Sequence, residues 1–241
     1  MNAKKIIFVT GTDTGVGKTL LTALLLHHFR QAGIHALAMK PFCSGGLADV
    51  RLLQSLQPGE LSDREMNPYF FKQPTAPFVA TKKSRKNIPL DDVVDRIKRI
   101  EKKCERLIIE GSGGLLVPLG KGYTVAGLIA KLNCRVIVVA RNRLGTINHT
   151  LLTVECLQSI GFPRSTLTVV LMSGRNPDLS SRDNQSTLAE LLKPVTVLSI
   201  PFLGGQATHS SGMIQKSYSQ IKKNAHEIGE KLMIGRDKSK S

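Results

Sequence analysis

The sequence predicts a single doubly wound α/β domain, with a mostly parallel sheet and helices on both faces. Three observations predict it: six short apolar runs rich in β-branched residues, segments of helical periodicity between most of them, and a glycine-rich loop joining the first run to the first helix. Strands that are apolar on every residue, rather than on alternate ones, belong to a parallel sheet covered on both sides. At 241 residues the chain is long for one domain, but α/β folds commonly run longer, and no linker or internal repeat divides it.

In chain order, Lys5 to Val9 is the first strand and Thr19 to Ala32 the first helix. Ile34 to Met39 is the second strand, followed by a short helical segment from Val50 to Leu56. Residues 59–89, with Pro68, Pro74, Pro77 and Pro89, break the rhythm and read as a long ordered excursion over the surface. Leu90 to Ile100 then sets Val93, Val94, Ile97 and Ile100 on one helical face, and Leu107 to Ile109 is the third strand. A helix from Thr124 to Leu132, a strand from Arg135 to Ala140, a helix from Ile147 to Ile160 and strands at Leu167 to Leu171 and Val195 to Ile200 complete the alternation. From Met213, Ile214, Tyr218, Ile221, Ala225, Ile228 and Leu232 recur at spacings of three and four, a final amphipathic helix. The domain is therefore expected over residues 1–232, with a flexible basic tail over 233–241.

Lys and Arg number 34 against 18 acidic residues, a formal charge of +16. Such a charge suits nucleic acid, anionic membrane or phosphorylated small molecules, and by itself separates them poorly. The cations are scattered through Lys82, Lys83, Arg85 and Lys86, the helix near Arg96 and the tail, with three Tyr and no Trp to stack bases, so a solvated basic surface with no specific nucleic-acid partner is expected. The four cysteines form no Cys-x-x-Cys pair and have no His at metal-ligand spacing, which fits a reducing compartment. The apolar run after Lys5 ends too soon for a secretion signal, and no stretch nears the ~18 apolar residues of a membrane span. A cytoplasmic protein without a membrane partner is the expectation.

After the first strand comes Gly11-Thr12-Asp13-Thr14-Gly15-Val16-Gly17-Lys18-Thr19, then a Leu-rich helix. This is the strand, glycine loop, helix order of a P-loop. Glycines let successive backbone N–H groups converge on phosphate oxygens, the helix start adds its positive dipole end, the lysine reaches the β and γ phosphates, and the Thr19 hydroxyl can ligate Mg²⁺. The strict pattern has Gly where Thr12 stands, so the loop is a variant. Gly15 to Thr19 also resembles the loop of partition-type ATPases, whose signature lysine would fall at position 13; Asp13 argues against that branch.

Residues 11 to 19 match the loop of dethiobiotin synthetases throughout, and the resemblance continues downstream. Lys40-Pro41 with Ser44-Gly45, Asn67-Pro68-Tyr69 with Pro74-Thr75-Ala76-Pro77, Glu110-Gly111-Ser112-Gly113-Gly114, and Leu144-Gly145-Thr146-Ile147-Asn148-His149 all resemble motifs of that family, in family order. The resemblance implies a P-loop NTPase fold and a ligase that joins 7,8-diaminononanoate and CO₂ at the expense of MgATP. One amine captures CO₂ as a carbamate, ATP phosphorylates it, and the second amine closes the ureido ring. Such a reaction needs charge neutralised at the γ-phosphate. By resemblance, Lys18, Lys40 and Thr14 are the catalytic set, and Thr19, Asp49 and Glu110 hold Mg²⁺. Gly15, Val16, Gly17, Lys18, Thr19 and Leu20 bind the nucleotide, together with Asp49, Glu110, Gly111, Ser112 and Gly113. Ser173, Pro201, Phe202 and Leu203 lie on its base side. Ser44 binds the diamine or carbamate, and Gly145, Thr146 and Asn148 hold the substrate's carboxylate across a homodimer interface.

Plainer readings stand beside four of these: Lys40 could be an ordinary surface lysine at a strand end, Asp49 could cap the segment after it, Ser44 could belong to a turn, and Gly145 to Asn148 could simply open a helix. The chain also departs from the family. Ser173-Gly174 replaces an Asn-Asp pair that reads the adenine edge, which opens the question of another nucleoside triphosphate. Gly127 stands where a helix aspartate is common. Two other functions compete: a cobyrinate amidating synthase, which would need an added glutaminase domain, and a switch ATPase that binds DNA or membrane.

Overall fold

The computed structural model describes residues 4–233; of the basic tail expected over 233–241, all but Met233 lies outside the described residues. A six-stranded sheet is built from β1 (Ile6–Gly11), β2 (Ala36–Met39), β5 (Arg106–Glu110), β8 (Cys134–Asn142), β9 (Leu167–Ser173) and β10 (Thr196–Ile200). Every pairing in it is parallel, in the order β10-β9-β8-β1-β5-β2. The chain leaves β1 toward the β2 edge and later returns to build the other half from β8. The direction of winding therefore reverses beside β1, where open α/β sheets place their ligands at the strand carboxyl ends.

Two-sided burial explains the strand composition. All of Ile6 to Val9 and Val136 to Ala140 are at most 1% exposed, so β-branched side chains on both faces find packing partners. Helix α1 (Lys18–Gln31) is likewise covered nearly all round, burying Leu21, Leu24, Leu25, Leu26 and Phe29. The sheet strands β1, β2 and β5 pack on one side of it and α9 (Ser211–Met233) on another. Each such side chain contributes about 1.5–3 kcal/mol by leaving water. Right-handed crossovers put α5 (Leu90–Glu101), α6 (Val125–Lys131), α7 (Thr146–Ser159) and α8 (Asn184–Leu191) on the face opposite α1 and α9.

Residues 59–89 are less of a surface excursion than their prolines suggest. They follow α2 (Ala48–Ser55) and fold into α3 (Asp63–Met66), β4 (Tyr69–Phe71) and α4 (Pro77–Lys83), and they bury Leu61, Met66 and Ile88. Strand β4 pairs in parallel with β3 (Phe42–Ser44), and a third small ladder joins β6 (Pro118–Gly120) to β7 (Tyr123–Thr124). Helix α9 starts near the expected place but is kinked at Ile221, whose φ of −123° is non-helical.

Candidate active site

Three strand ends supply the polar groups at the carboxyl edge of the sheet. Strand β1 runs into the glycine loop, and α1 begins at Gly17, whose φ of +107° is the left-handed conformation that only glycine adopts cheaply. A Cβ at Gly17 would also lie 3.0 Å from the Met172 side chain, so the residue has two reasons to be glycine. Lys40 directly follows the last residue of β2, and Glu110 is the last residue of β5.

These ends meet in one polar knot. Glu110, 1% exposed, accepts from the Thr19 hydroxyl at 2.7 Å and from the Lys40 ammonium at 2.6 Å. Lys40 also pairs with Asp49, which sits in the first turn of α2, so the helix-start position and a charged role coincide in one residue. Burial alone would depress the Lys40 ammonium, but the charges and hydrogen bonds of Glu110 and Asp49 outweigh it and hold the group above its ordinary value. Lys18 is affected in the opposite sense. Burial dominates, the Glu110 charge offsets part of it and the neighbouring Lys40 adds to the depression, leaving its ammonium pushed down to about 8. It donates to the Asp13 carbonyl at 2.8 Å.

Neighbouring segments brace the knot. The Lys40 amide donates to the Met66 carbonyl, and the Asn67 amide group donates to the Lys40 carbonyl at 2.6 Å. Ser112 donates to the Phe42 carbonyl at 2.6 Å, and Phe42 stacks on Tyr69. Residues 66–71 are therefore a buttress for Lys40, a role their sequence did not reveal.

A cavity of about 660 Å³ opens over this knot. Thr14, Gly15, Gly17, Lys18, Thr19 and Leu20 line its P-loop side. Val16 does not, because its side chain is buried under the loop. Lys40, Ser44 and Asp49 form a second wall and Glu110, Gly111, Ser112 and Gly113 a third. The proline-rich stretch from Pro74 to Pro77 and the segment Gly204 to Thr208 close the remaining sides. Neither wall was anticipated in full, although Gly204-Gly205, separated by three residues from the end of the last strand on the carboxyl side of the sheet, was a readable signal.

Other expected residues lie outside this cavity. Ser173 ends β9, and Pro201 and Phe202 are exposed beside it, with Phe202 facing the Arg175 guanidinium, while Leu203 is buried. Gly145 is the N-cap of α7, Thr146 is buried with an unpartnered hydroxyl, and Asn148 is exposed. Thr146 lines a separate small pocket of about 40 Å³ on the outer side of the glycine loop, with Arg141, Arg143 and His149. Gly127 occupies the first turn of α6, where its amide faces the capping Thr124 hydroxyl. Among the described residues, no group of three or more His, Cys, Asp or Glu is arranged to hold a metal ion.

The fold and the cavity define a P-loop enzyme of the nucleoside-triphosphate-using α/β class, with a cationic and carboxylate cluster beside the glycine loop. Residues 5–205 match a family described as AAA domain. Solved structures similar in fold include the cell division protein MinD of Aquifex aeolicus, at TM-score 0.61 and 13% identity over 95% of this chain and 97% of that one. A ParA family ATPase from Chlorobium tepidum is similar at TM-score 0.56 and 16% identity, again over 95% of this chain and 97% of that one. Identities so low speak for the fold alone. The chain belongs to the ATP-dependent dethiobiotin synthetase family. It is 39% identical to the BioD protein of that name from Bacillus subtilis subsp. natto over 206 residues, covering 82% of this chain and 84% of the relative. Against that of Bacillus licheniformis it is 39% identical over 190 residues, covering 74% and 81%. Against that of Methanococcus vannielii the identity is 41% over 156 residues, covering 65% and 74%.

Proposed function

We propose that the 660 Å³ cavity is where this ATP-dependent dethiobiotin synthetase performs its three chemical steps, with Lys40 at the reacting centre. The observation that carries the reading is the buried junction of Lys40, Glu110 and Thr19 directly beside the glycine loop. An ammonium fixed there lies where a γ-phosphoryl group on the P-loop would meet an acceptor.

One amine of 7,8-diaminononanoate bonds through nitrogen to the carbon of CO₂, taken up directly or after bicarbonate loses water, and releases a proton to leave a carbamate. A carbamate oxygen attacks the γ-phosphorus and ADP departs. The second amine then attacks the carbamoyl carbon, phosphate leaves, and the five-membered urea closes. Lys18 and Lys40 neutralise the charge spread over the transferring phosphoryl oxygens, and Thr14, whose hydroxyl sits close beside Gly113, donates there. Ser44 orients the diamine or its carbamate. Gly15 to Leu20 and Gly111 to Gly113 hold the phosphates through backbone and side chain, and Ser173 with Pro201 to Leu203 flanks the base.

Mg²⁺ fits the donors present. Glu110 keeps one carboxylate oxygen buried and unpartnered, and with Asp49 and the Thr19 hydroxyl it offers the oxygen ligands this ion takes. When bound it would offset negative charge on the phosphates. The N-terminus of α7, with Gly145, Thr146 and Asn148, fits the substrate carboxylate. None of the three lines the cavity of its own chain, which supports contribution from a second copy, and the exposed Leu144 and Leu152 near them suit a homodimer interface. We place the enzyme in the cytoplasm and assign it no specific nucleic-acid partner. No helix among the described residues is long and apolar enough to cross a membrane.

The test is phosphate release and dethiobiotin formation by the purified protein with MgATP and bicarbonate, with and without the diamine, alongside Lys18→Ala. Release that requires the diamine and falls about 100- to 1000-fold in the variant is expected. Equal release without the diamine would point instead to a switch ATPase. Product formed with another nucleotide but not ATP would trace to Ser173 and leave the site assignment standing.

A further inference from the structure

The glycine loop is gripped from the neighbouring strand β8 at two points. The Thr12 amide donates to the Val139 carbonyl at 2.9 Å, which anchors the base of the loop. Two residues further along β8, Arg141 donates from Nε and Nη2 to the Gly15 carbonyl at 3.1 and 2.9 Å, which holds the apex. The fit is close: with φ at +68°, a Cβ on Gly15 would lie 3.0 Å from the guanidinium nitrogen. A loop that turns its N–H groups inward to phosphate must turn carbonyls outward. The Gly15 carbonyl is one of these, and a rigid charged fork clamps it.

A second apex contact, Lys18 Nζ to the Asp13 carbonyl, uses the ammonium that P-loop chemistry directs to phosphate. That tether is surrendered when nucleotide is engaged. Arg141 is placed differently. It lines the small pocket on the outer side of the loop and no part of the main cavity, so its bond to Gly15 survives nucleotide binding.

We propose that Arg141 is a positioning residue for the nucleotide: it touches no substrate but pre-orders the apex of the phosphate loop through the Gly15 carbonyl. The inference rests on the reading of the loop as the nucleotide site and not on the diamine. Without the fork, nucleotide binding must order the apex itself, so affinity falls while the bound state is little changed.

Calorimetric titration of Mg²⁺ with ADP and with a non-hydrolysable ATP analogue, beside steady-state kinetics, tests this. Arg141→Ala should weaken both nucleotides about tenfold, equivalent to about 1.4 kcal/mol. It should also raise the KM for ATP, and leave kcat within about twofold. Arg141→Lys, with a single ammonium in place of the planar fork, should recover part of the loss. Arg143→Ala removes a like charge from the same pocket but no bond to the loop, and should leave nucleotide affinity within twofold. Wild-type-like nucleotide binding by Arg141→Ala overturns the proposal, as does an equal loss in Arg143→Ala, which would make the effect one of charge alone. A rise in the KM for the diamine with nucleotide affinity intact also overturns it, making Arg141 a substrate ligand. Wild-type protein that binds ADP but forms no dethiobiotin would sink the function proposed above and leave this test standing.

Discussion

Replacing Lys40 by Met keeps the length and most of the volume of the side chain and removes only its charge. The Lys40 side chain is 9% exposed and that of its partner Glu110 1%, whereas the Asp49 side chain is 44% exposed. Breaking a buried pair by deleting one member leaves the other charge uncompensated and costs about 3–5 kcal/mol. The half-exposed pairing to Asp49 adds about 0–1 kcal/mol. Because Glu110 still accepts from the Thr19 hydroxyl, the lower end applies, and Lys40→Met should lose about 3 kcal/mol in urea unfolding followed by circular dichroism. Most of that cost is the stranded carboxylate. The double variant Lys40→Met with Glu110→Gln should therefore regain at least about 2 kcal/mol, since removing both members of a buried pair is close to neutral. Activity will not follow stability: both proteins should form dethiobiotin at least about 100-fold more slowly. A double variant no more stable than the single one would show that the pair is not desolvated as described, and a folded Lys40→Met enzyme within tenfold of wild type would remove the ammonium from the mechanism.

Two further outcomes concern the seam between α1 and α9. His28 is buried there and bonds the Tyr218 hydroxyl at 2.9 Å, with His27, His226 and Glu230 around it. Burial lowers the pKa of both His27 and His28, and the His226 charge lowers His28 further. A folded-state value below the unfolded one means that the unfolded chain binds the extra protons. Stability is thus complete above about pH 6.5 and declines as pH falls below it. The melting temperature should drop from pH 7 to pH 5, and His28→Gln should flatten that slope; an unchanged slope would clear this seam of responsibility. Gly229→Ala should destabilise rather than help, because its Cβ would fall 2.5 Å from His28 Nε2. Overpacking of about 1–3 kcal/mol outweighs a helix-propensity gain of about 1 kcal/mol, and a raised melting temperature would contradict the seam geometry.

The central architecture was legible because its physics is local. Runs such as Ile6 to Val9 and Val136 to Ala140 are apolar without interruption, a pattern that only a doubly covered strand satisfies, and Lys18-Thr19 after a glycine loop states its own chemistry. Features that depend on tertiary pairing were not legible. Strands β3 and β4 are three residues each, too short for any period to register, and they exist because Phe42 and Tyr69 stack across them. Helix α8 was missed because only Asn184 and Leu188 of its eight residues are buried, which leaves no apolar stripe. The wall from Pro74 to Pro77 read as surface because prolines mark breaks in regular structure and say nothing about what they face. Arg141 went unnoticed for a similar reason: an exposed cation near the end of a buried strand has no signature until the loop it holds is in place.

The order of strands in the sheet has a consequence for how the enzyme comes into being. Strand β1 is translated well ahead of both its neighbours in the sheet, β5, which opens at Arg106, and β8, which opens at Cys134. Contacts so distant in sequence form slowly. At ~5–20 residues per second the phosphate loop waits several seconds in translation for the strand that steadies it. Until β5 is made, a run of Ile, Phe and Val has both edges unpaired, and until β8 is made it still has one, the condition under which nascent strands misassociate. The glycine-loop residues are thus translated before their supports, and a chain halted before Val139 carries the whole P-loop motif without the β8 contacts at its base and apex.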